Sequence, residues 1–125
     1  MPIRWGDMDA FGHVNNTVYF RYMEQVRISW LESLDIASEE SSTGEGPVII
    51  NANMTFLRQL RYPGDIDCRM SVGALGRSSV DTRFELRRAD TPDVLVAEGG
   101  AKIVWVNYKA EKSVPLPEAV RALMA

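Results

Sequence analysis

The chain has 125 residues, 46% of them hydrophobic and 25% charged, with a net charge of -3 and a single cysteine and a single histidine. That is enough chain for one domain with its own core, and no linker divides residues 1–125. No apolar run approaches the roughly 20 residues of a membrane-spanning helix, no basic cluster is available to neutralise nucleic-acid phosphates, and lone Cys68 and His13 leave neither an internal disulfide nor a zinc set. The opening residues lack the charged-then-apolar layout of a secretory signal, so a cytoplasmic location is expected.

In chain order, a short first strand precedes a polar, glycine-containing segment from Trp5 to Asn16. A long helix is then expected from Asn15 or Asn16, either of which can cap it, to about Leu34. Tyr19, Met23, Val26, Trp30 and Leu34 step by four, three, four and four, and Val18, Phe20, Tyr22 and Leu31 widen that seam. Such a helix should be buried on most of its circumference, with Arg21, Glu24, Gln25 and Glu32 on a narrow polar stripe. Arg27 projects into the apolar arc and needs a route to solvent or a partner. The acidic, serine-rich run Ser38–Gly46 reads as a surface loop, a connector or a lid.

From there the apolar period changes to two. Val48, Ile50, Ala52, Met54 and Phe56 form one strand face; Tyr62–Asp65 is a turn; Ile66, Cys68, Met70, Val72 and Ala74 form the next face. Val80, Thr82, Phe84 and Leu86 follow, then a reversal at Asp90–Asp93, and a last long strand from Val94 to Val106 in which Gly99-Gly100 suggests a bend or bulge. A short helix after Pro117 closes the chain. One long helix followed by four strands on tight turns is an α+β layout with a curved antiparallel sheet wrapped on the helix. Its exposed edge strands favour pairing with a second copy, so a homodimer is expected, with a further pairing into tetramers open.

Chemistry concentrates in Asp7-Met8-Asp9-Ala10-Phe11-Gly12-His13-Val14-Asn15-Asn16, immediately before the helix. A helix start offers unpaired N–H groups and the positive end of the dipole, where an oxyanion would be stabilised. A nearby carboxylate that activates water or attacks a carbonyl would complete an acyl-transfer site. On these grounds alone either acid could instead be a turn former, and His13 a structural hydrogen-bonding residue. No Gly-x-Ser-x-Gly string is present.

The Asp-x-Asp-x-x-Gly-His-Val-Asn-Asn string, with the aromatic helix bearing Glu24, Arg27 and Leu31, resembles the hotdog-fold acyl-CoA thioesterases of the 4-hydroxybenzoyl-CoA thioesterase family. The resemblance continues through Phe56–Leu60, the Tyr62–Asp65 turn, Gly76-Arg77-Ser78-Ser79 and the last strand, although the stretch before Arg4 is short for that family. It implies a hotdog fold, with a five-stranded antiparallel sheet around a central helix. It implies hydrolysis of an acyl-CoA to a free acid and coenzyme A, without a metal or resident cofactor, in sites where two subunits meet. Asp9 is then the catalytic carboxylate, as general base or nucleophile, and the backbone N–H at Asn16 polarises the thioester carbonyl. Gly12, His13 and Tyr19 would contact substrate, Asn51 and Asn53 line the site or satisfy the sheet, and Arg77 and Ser79 hold coenzyme A phosphates.

Two other readings stand beside this one. In the first, acyl carrier protein replaces coenzyme A as the leaving group. In the second, the same fold serves as a non-catalytic acyl-CoA binding or sensor module, for which no carboxylate at Asp9 is needed. Phe11, Tyr19, Met23 and Met54 would suit an acyl tail, and each would equally suit a core.

Overall fold

The structure, a computed structural model, describes residues 1–34 and 44–124. The loop expected at Ser38–Gly46 therefore lies outside the described residues, apart from its last three.

Helix α1 runs Asn16–Ser33 and Asn15 is its N-cap: the Asn15 side chain accepts from the Thr17 N–H at 3.0 Å and from the Thr17 hydroxyl at 2.9 Å. Four long strands follow, β1 (Glu45–Phe56), β2 (Ile66–Leu75), β3 (Ser79–Arg88) and β4 (Ala97–Asn107), then the two-residue β5 (Lys112–Ser113) and the short helix α2 (Glu118–Arg121). The order across the sheet is β1-β4-β3-β2, every pairing antiparallel, with β5 on β4. This is the expected α+β hotdog arrangement, one long helix against one antiparallel sheet.

The fifth strand is not where the sequence put it. The amino-terminal segment is reduced to a single bridge, Pro2 with Asp65, held by Ile3 N–H to Gly64 C=O at 2.7 Å and Ile66 N–H to Met1 C=O at 2.7 Å. The bulge is also elsewhere. Pairing of β4 with β3 and β1 runs unbroken through Gly99 and Gly100, while the irregularity falls between Ile49 and Asn51 of β1. Beyond it, Ile49 and not Ile50 stands opposite Ile103, and Ile50 is exposed. The two glycines have a different reason. A Cβ on Gly99 would drive into the Asn53 carbonyl, and one on Gly100 would lie 2.8 Å from the Thr82 carbonyl oxygen, so neighbouring backbones use the space a side chain would fill. β4 also starts at Ala97 and not Val94, because the Val96 carbonyl turns to accept from the N–H groups of Leu57 and Arg58.

Two buried groups make the core. Tyr19, Tyr22 and Met23 of α1 pack on Leu60, Ile66, Phe84, Leu86, Ala97 and Ala101 at one end, and Trp30, Leu31 and Leu34 pack on Val80, Ile103, Trp105, Leu116 and Val120 at the other. The carboxyl-terminal segment thus stoppers the second end. The expectation of a helix buried most of the way round does not hold for this chain. Only Tyr19, Tyr22 and Met23 are buried, and Phe20 and Ile28 are exposed, because a sheet of four long strands covers one side of a helix. Arg27 is half-buried without a hydrogen bond or ion pair among the described residues; desolvation lowers its pKa, offset in part by the charge of Glu24.

Candidate active site

The turn between Trp5 and Asn16 is built almost wholly from its own backbone. Trp5–Asp7 is a 3-10 turn whose Asp7 carboxylate accepts from the Arg4 N–H at 2.8 Å and from the Tyr22 hydroxyl at 3.4 Å. Burial, then the Asp7 charge, pushes the Tyr22 phenol well above its usual range. Asp7 is thus committed to the turn. Met8 bridges Val14, the Asp9 N–H donates to the His13 carbonyl at 2.9 Å, and the Gly12 N–H donates to the Asp9 carbonyl at 3.1 Å. Gly12 closes this loop at φ +80°, a left-handed conformation in which a side chain would be strained. The Asp9 carboxylate accepts from the Phe11 N–H at 2.9 Å through Oδ1. That bond aims it without burying it.

Asp9, His13, Asn16 and Tyr19 share one open cleft of about 630 Å³ with Phe11, Val14 and the stretch Phe56–Gln59. Asn16 is the first residue of α1, so its N–H has no intrahelical acceptor, and no hydrogen bond among the described residues uses it. Asp9 and the first residue of the helix therefore line the same cleft. Its far wall is aromatic: Tyr19 and Phe56 meet edge to face, and the Tyr19 hydroxyl donates to the Arg58 carbonyl at 3.4 Å. Burial raises the Tyr19 pKa, which keeps the phenol protonated. His13 Nε2 lies 3.1 Å from the Arg61 guanidinium.

The other residues singled out from sequence stand elsewhere. Ala52, Met54 and Phe56 of β1 pair with Ala101, Gly99 and Ala97 on the helix side of the sheet. Asn51 and Asn53 point the opposite way, into a separate shallow depression of about 680 Å³ with Asp81, Arg83, Glu98 and Lys102. Within one chain they do not join Asp9. Arg77 and Ser79 are at the β2–β3 turn, where the Arg77 carbonyl accepts from Leu116 N–H at 2.9 Å and from the Arg121 guanidinium at 2.6 Å. Phe56 pairs with Ala97 and Ser79 with Val104, which sets this turn about 23 Å from the cleft end of β4 at ~3.3 Å per residue.

Sequence reading gave Leu57, Arg58 and Gln59 no role at the site, although they form a wall of the cleft. Arg61 and Arg88 went unnoticed too. Neither stretch has a periodic signature, and the only available signal was the density of arginine around a Pro-Gly turn.

Comparison with known proteins agrees with this fold. Residues 3–124 match the thioesterase-like superfamily. The chain is 32% identical over 126 residues to the chloroplastic acyl-acyl carrier protein thioesterase ATL3 of Arabidopsis thaliana, a match that takes in 98% of this chain and 64% of that one. It spans 56% and 64% of the lengths of the curated relatives it matches. Among solved structures, the PA2801 protein of Pseudomonas aeruginosa, named a candidate thioesterase, superposes with TM-score 0.93 at 39% identity, covering all of this chain and 95% of that one. The BH1999 gentisyl-coenzyme A thioesterase superposes with TM-score 0.84 at 26% identity over 97% and 96% of the two chains. The fold is the one that these thioesterase structures share. The chain belongs to the thioesterase-like superfamily.

Proposed function

We propose that this protein hydrolyses acyl-CoA thioesters to a free carboxylic acid and coenzyme A, with Asp9 as the reacting carboxylate. The observation that carries this reading is that Asp9 and Asn16, whose N–H no hydrogen bond among the described residues uses, line one cleft. The thioester carbonyl oxygen would take its hydrogen bond from that N–H, where the helix dipole adds to the effect as negative charge develops. Asp9 either removes a proton from the attacking water, or adds to the carbonyl itself and forms a mixed anhydride that water then opens. In both routes the thiolate of coenzyme A leaves and is protonated by solvent. Phe11, Tyr19 and Phe56 would flank the acyl group.

A second copy of the chain would complete the site. Arg77 and Ser79 are too distant to serve the cleft of their own chain, and the outer edge of β1 carries exposed Ile49, Ile50 and Phe56. A homodimer would cover that edge and could bring the partner's β2–β3 turn towards the coenzyme A phosphates. The acyl carrier protein reading is kept because the Arabidopsis relative that matches 98% of this chain bears that name.

The test is a panel of acyl groups presented on coenzyme A and on acyl carrier protein, with release of thiol followed for the wild type and Asp9→Asn. Asn can still accept from the Phe11 N–H, so fold and assembly should persist while kcat falls by at least the roughly 10²–10⁴ of a lost acid-base group. Thiol release that is absent from the wild type, or unchanged in Asp9→Asn, would falsify the reading. Faster turnover on acyl carrier protein would move the substrate assignment to that carrier. A single turnover in ¹⁸O water identifies direct attack followed by opening of the anhydride at the Asp9 carboxyl carbon, since only that path leaves the first acid product unlabelled and puts the label in Asp9.

A further inference from the structure

His13 is the only histidine in the chain, and it reaches the cleft through a contact that specifies where its proton sits. An arginine has donors and no acceptor, so the 3.1 Å contact from the Arg61 guanidinium requires His13 Nε2 to accept. A neutral imidazole with Nε2 as acceptor carries its proton on Nδ1, the tautomer that histidine disfavours in water.

Arg61 is itself held. The Arg88 guanidinium donates to the Arg61 carbonyl at 2.9 Å and to the Pro63 carbonyl at 2.8 Å, and it is anchored by two contacts to Asp90 at 3.0 and 3.2 Å. Its side chain is only 23% exposed. Gly64 makes the room: a Cβ there would lie 2.6 Å from Arg88 Cζ. Next along the same segment, the Leu60 carbonyl accepts from the Val14 N–H at 2.8 Å, and the His13 carbonyl accepts from the Asp9 N–H. One guanidinium at the end of β3 therefore fixes the segment that fixes the histidine beside the reacting carboxylate.

We propose that Arg88 and Arg61 form a positioning relay that holds His13 as the neutral Nδ1–H tautomer at the cleft wall, so that His13 serves thioester hydrolysis as a hydrogen-bond donor and not as a base. The donor role rests on the functional reading above; the tautomer does not. Arg61 and Arg88 are positioning residues, since they act on the site through the ring of His13.

The sole histidine makes the test unambiguous. Long-range ¹H–¹⁵N correlation of the imidazole should show the Nδ1–H pattern in the wild type at neutral pH. Arg61→Met should convert it to a mixture dominated by Nε2–H. Arg88→Gln should move it in the same direction, and the double variant should match Arg61→Met alone. If Arg88→Gln fails to fold, Gly64→Ala pushes the same guanidinium out of place without removing it. In turnover, Arg61→Met should lower kcat about five- to tenfold with KM nearly unchanged, against the 10²–10³ that outright loss of an oxyanion donor costs. An Nε2–H or doubly protonated His13 in the wild type, or an Arg61→Met spectrum identical to wild type, overturns the relay. A wild type that cleaves no thioester overturns the functional reading and the donor role, while the ¹⁵N pattern still decides the relay.

Discussion

Tyr19 and Phe56 meet edge to face, with ring centroids 4.9 Å apart and planes at 79°, a contact between α1 and the end of β1 at the back of the cleft. An edge-to-face pair contributes about 1 kcal/mol beyond burial. Phe56 is 43% exposed, so Phe56→Ala should cost only about 1–2 kcal/mol in all. Its effect on substrate should be larger than its effect on the fold: KM for a hydrophobic acyl thioester rises, and kcat stays near wild type. Tyr19→Phe keeps the rings together and loses one long hydrogen bond, so it should cost about 0.5 kcal/mol. Urea denaturation read beside steady-state kinetics checks both.

The cap at Asn15 supports the start of α1, where Asn16 presents its open N–H. Asn15→Ala removes the acceptor for both Thr17 donors and should destabilise the protein by about 1 kcal/mol. Asn15→Asp preserves the acceptor and places a negative charge at the positive end of the dipole, so it should be neutral or stabilising. Thermal unfolding of the pair orders them.

Gly99→Ala is expected to be among the most damaging substitutions in the sheet. The added methyl group meets the Asn53 backbone, which no rotamer can relieve, so β1 and β4 must separate locally. A loss of about 3 kcal/mol or more follows from overpacking of this kind. Amide exchange should show the loss first at Asn53 and Met54.

Cys68 should be a slow thiol. Burial, with a smaller contribution from the Asp67 charge, pushes its pKa up to about 12, and the nearby amino terminus offsets only part of this. Because the shift is upward, the thiol stays neutral in the native state at pH 8, whereas the unfolded chain ionises near pH 9. Alkylation at pH 8 should be slower by about 10²–10³ in the folded protein than in denaturant, as expected when the thiolate is the reacting form. The linked stabilisation is complete below about pH 9 and is lost as pH rises towards 12. A fast native reaction at pH 8 would contradict this environment.

The helix and the four long strands were legible because their periods, near 3.6 and 2, follow from burial on one face. The turn before α1 was legible as a local string, since Asp7, Asp9, Gly12 and Asn15 make their hydrogen bonds within a few residues of one another. Two things escaped. The bulge at Ile50 shifts the phase of β1 by one residue, so a run of apolar alternation concealed that Ile49 and not Ile50 stands opposite Ile103. The arginine contacts were invisible for another reason: His13 to Arg61 spans 48 positions, and Arg88 to Pro63 spans 25, and no local pattern encodes either.

The cleft has two halves that are anchored separately. The half bearing Asp9 is tied by its own backbone and by the 60–64 segment, whereas Leu57, Arg58 and Gln59 on the other side are exposed, and the N–H groups of Leu57 and Arg58 donate to the Val96 carbonyl. Their side chains can change while the bonds that aim the carboxylate stay as they are. A fold divided in this way lets one wall of the cleft be rebuilt by exchanging three neighbouring side chains, without disturbing the turn that orients Asp9.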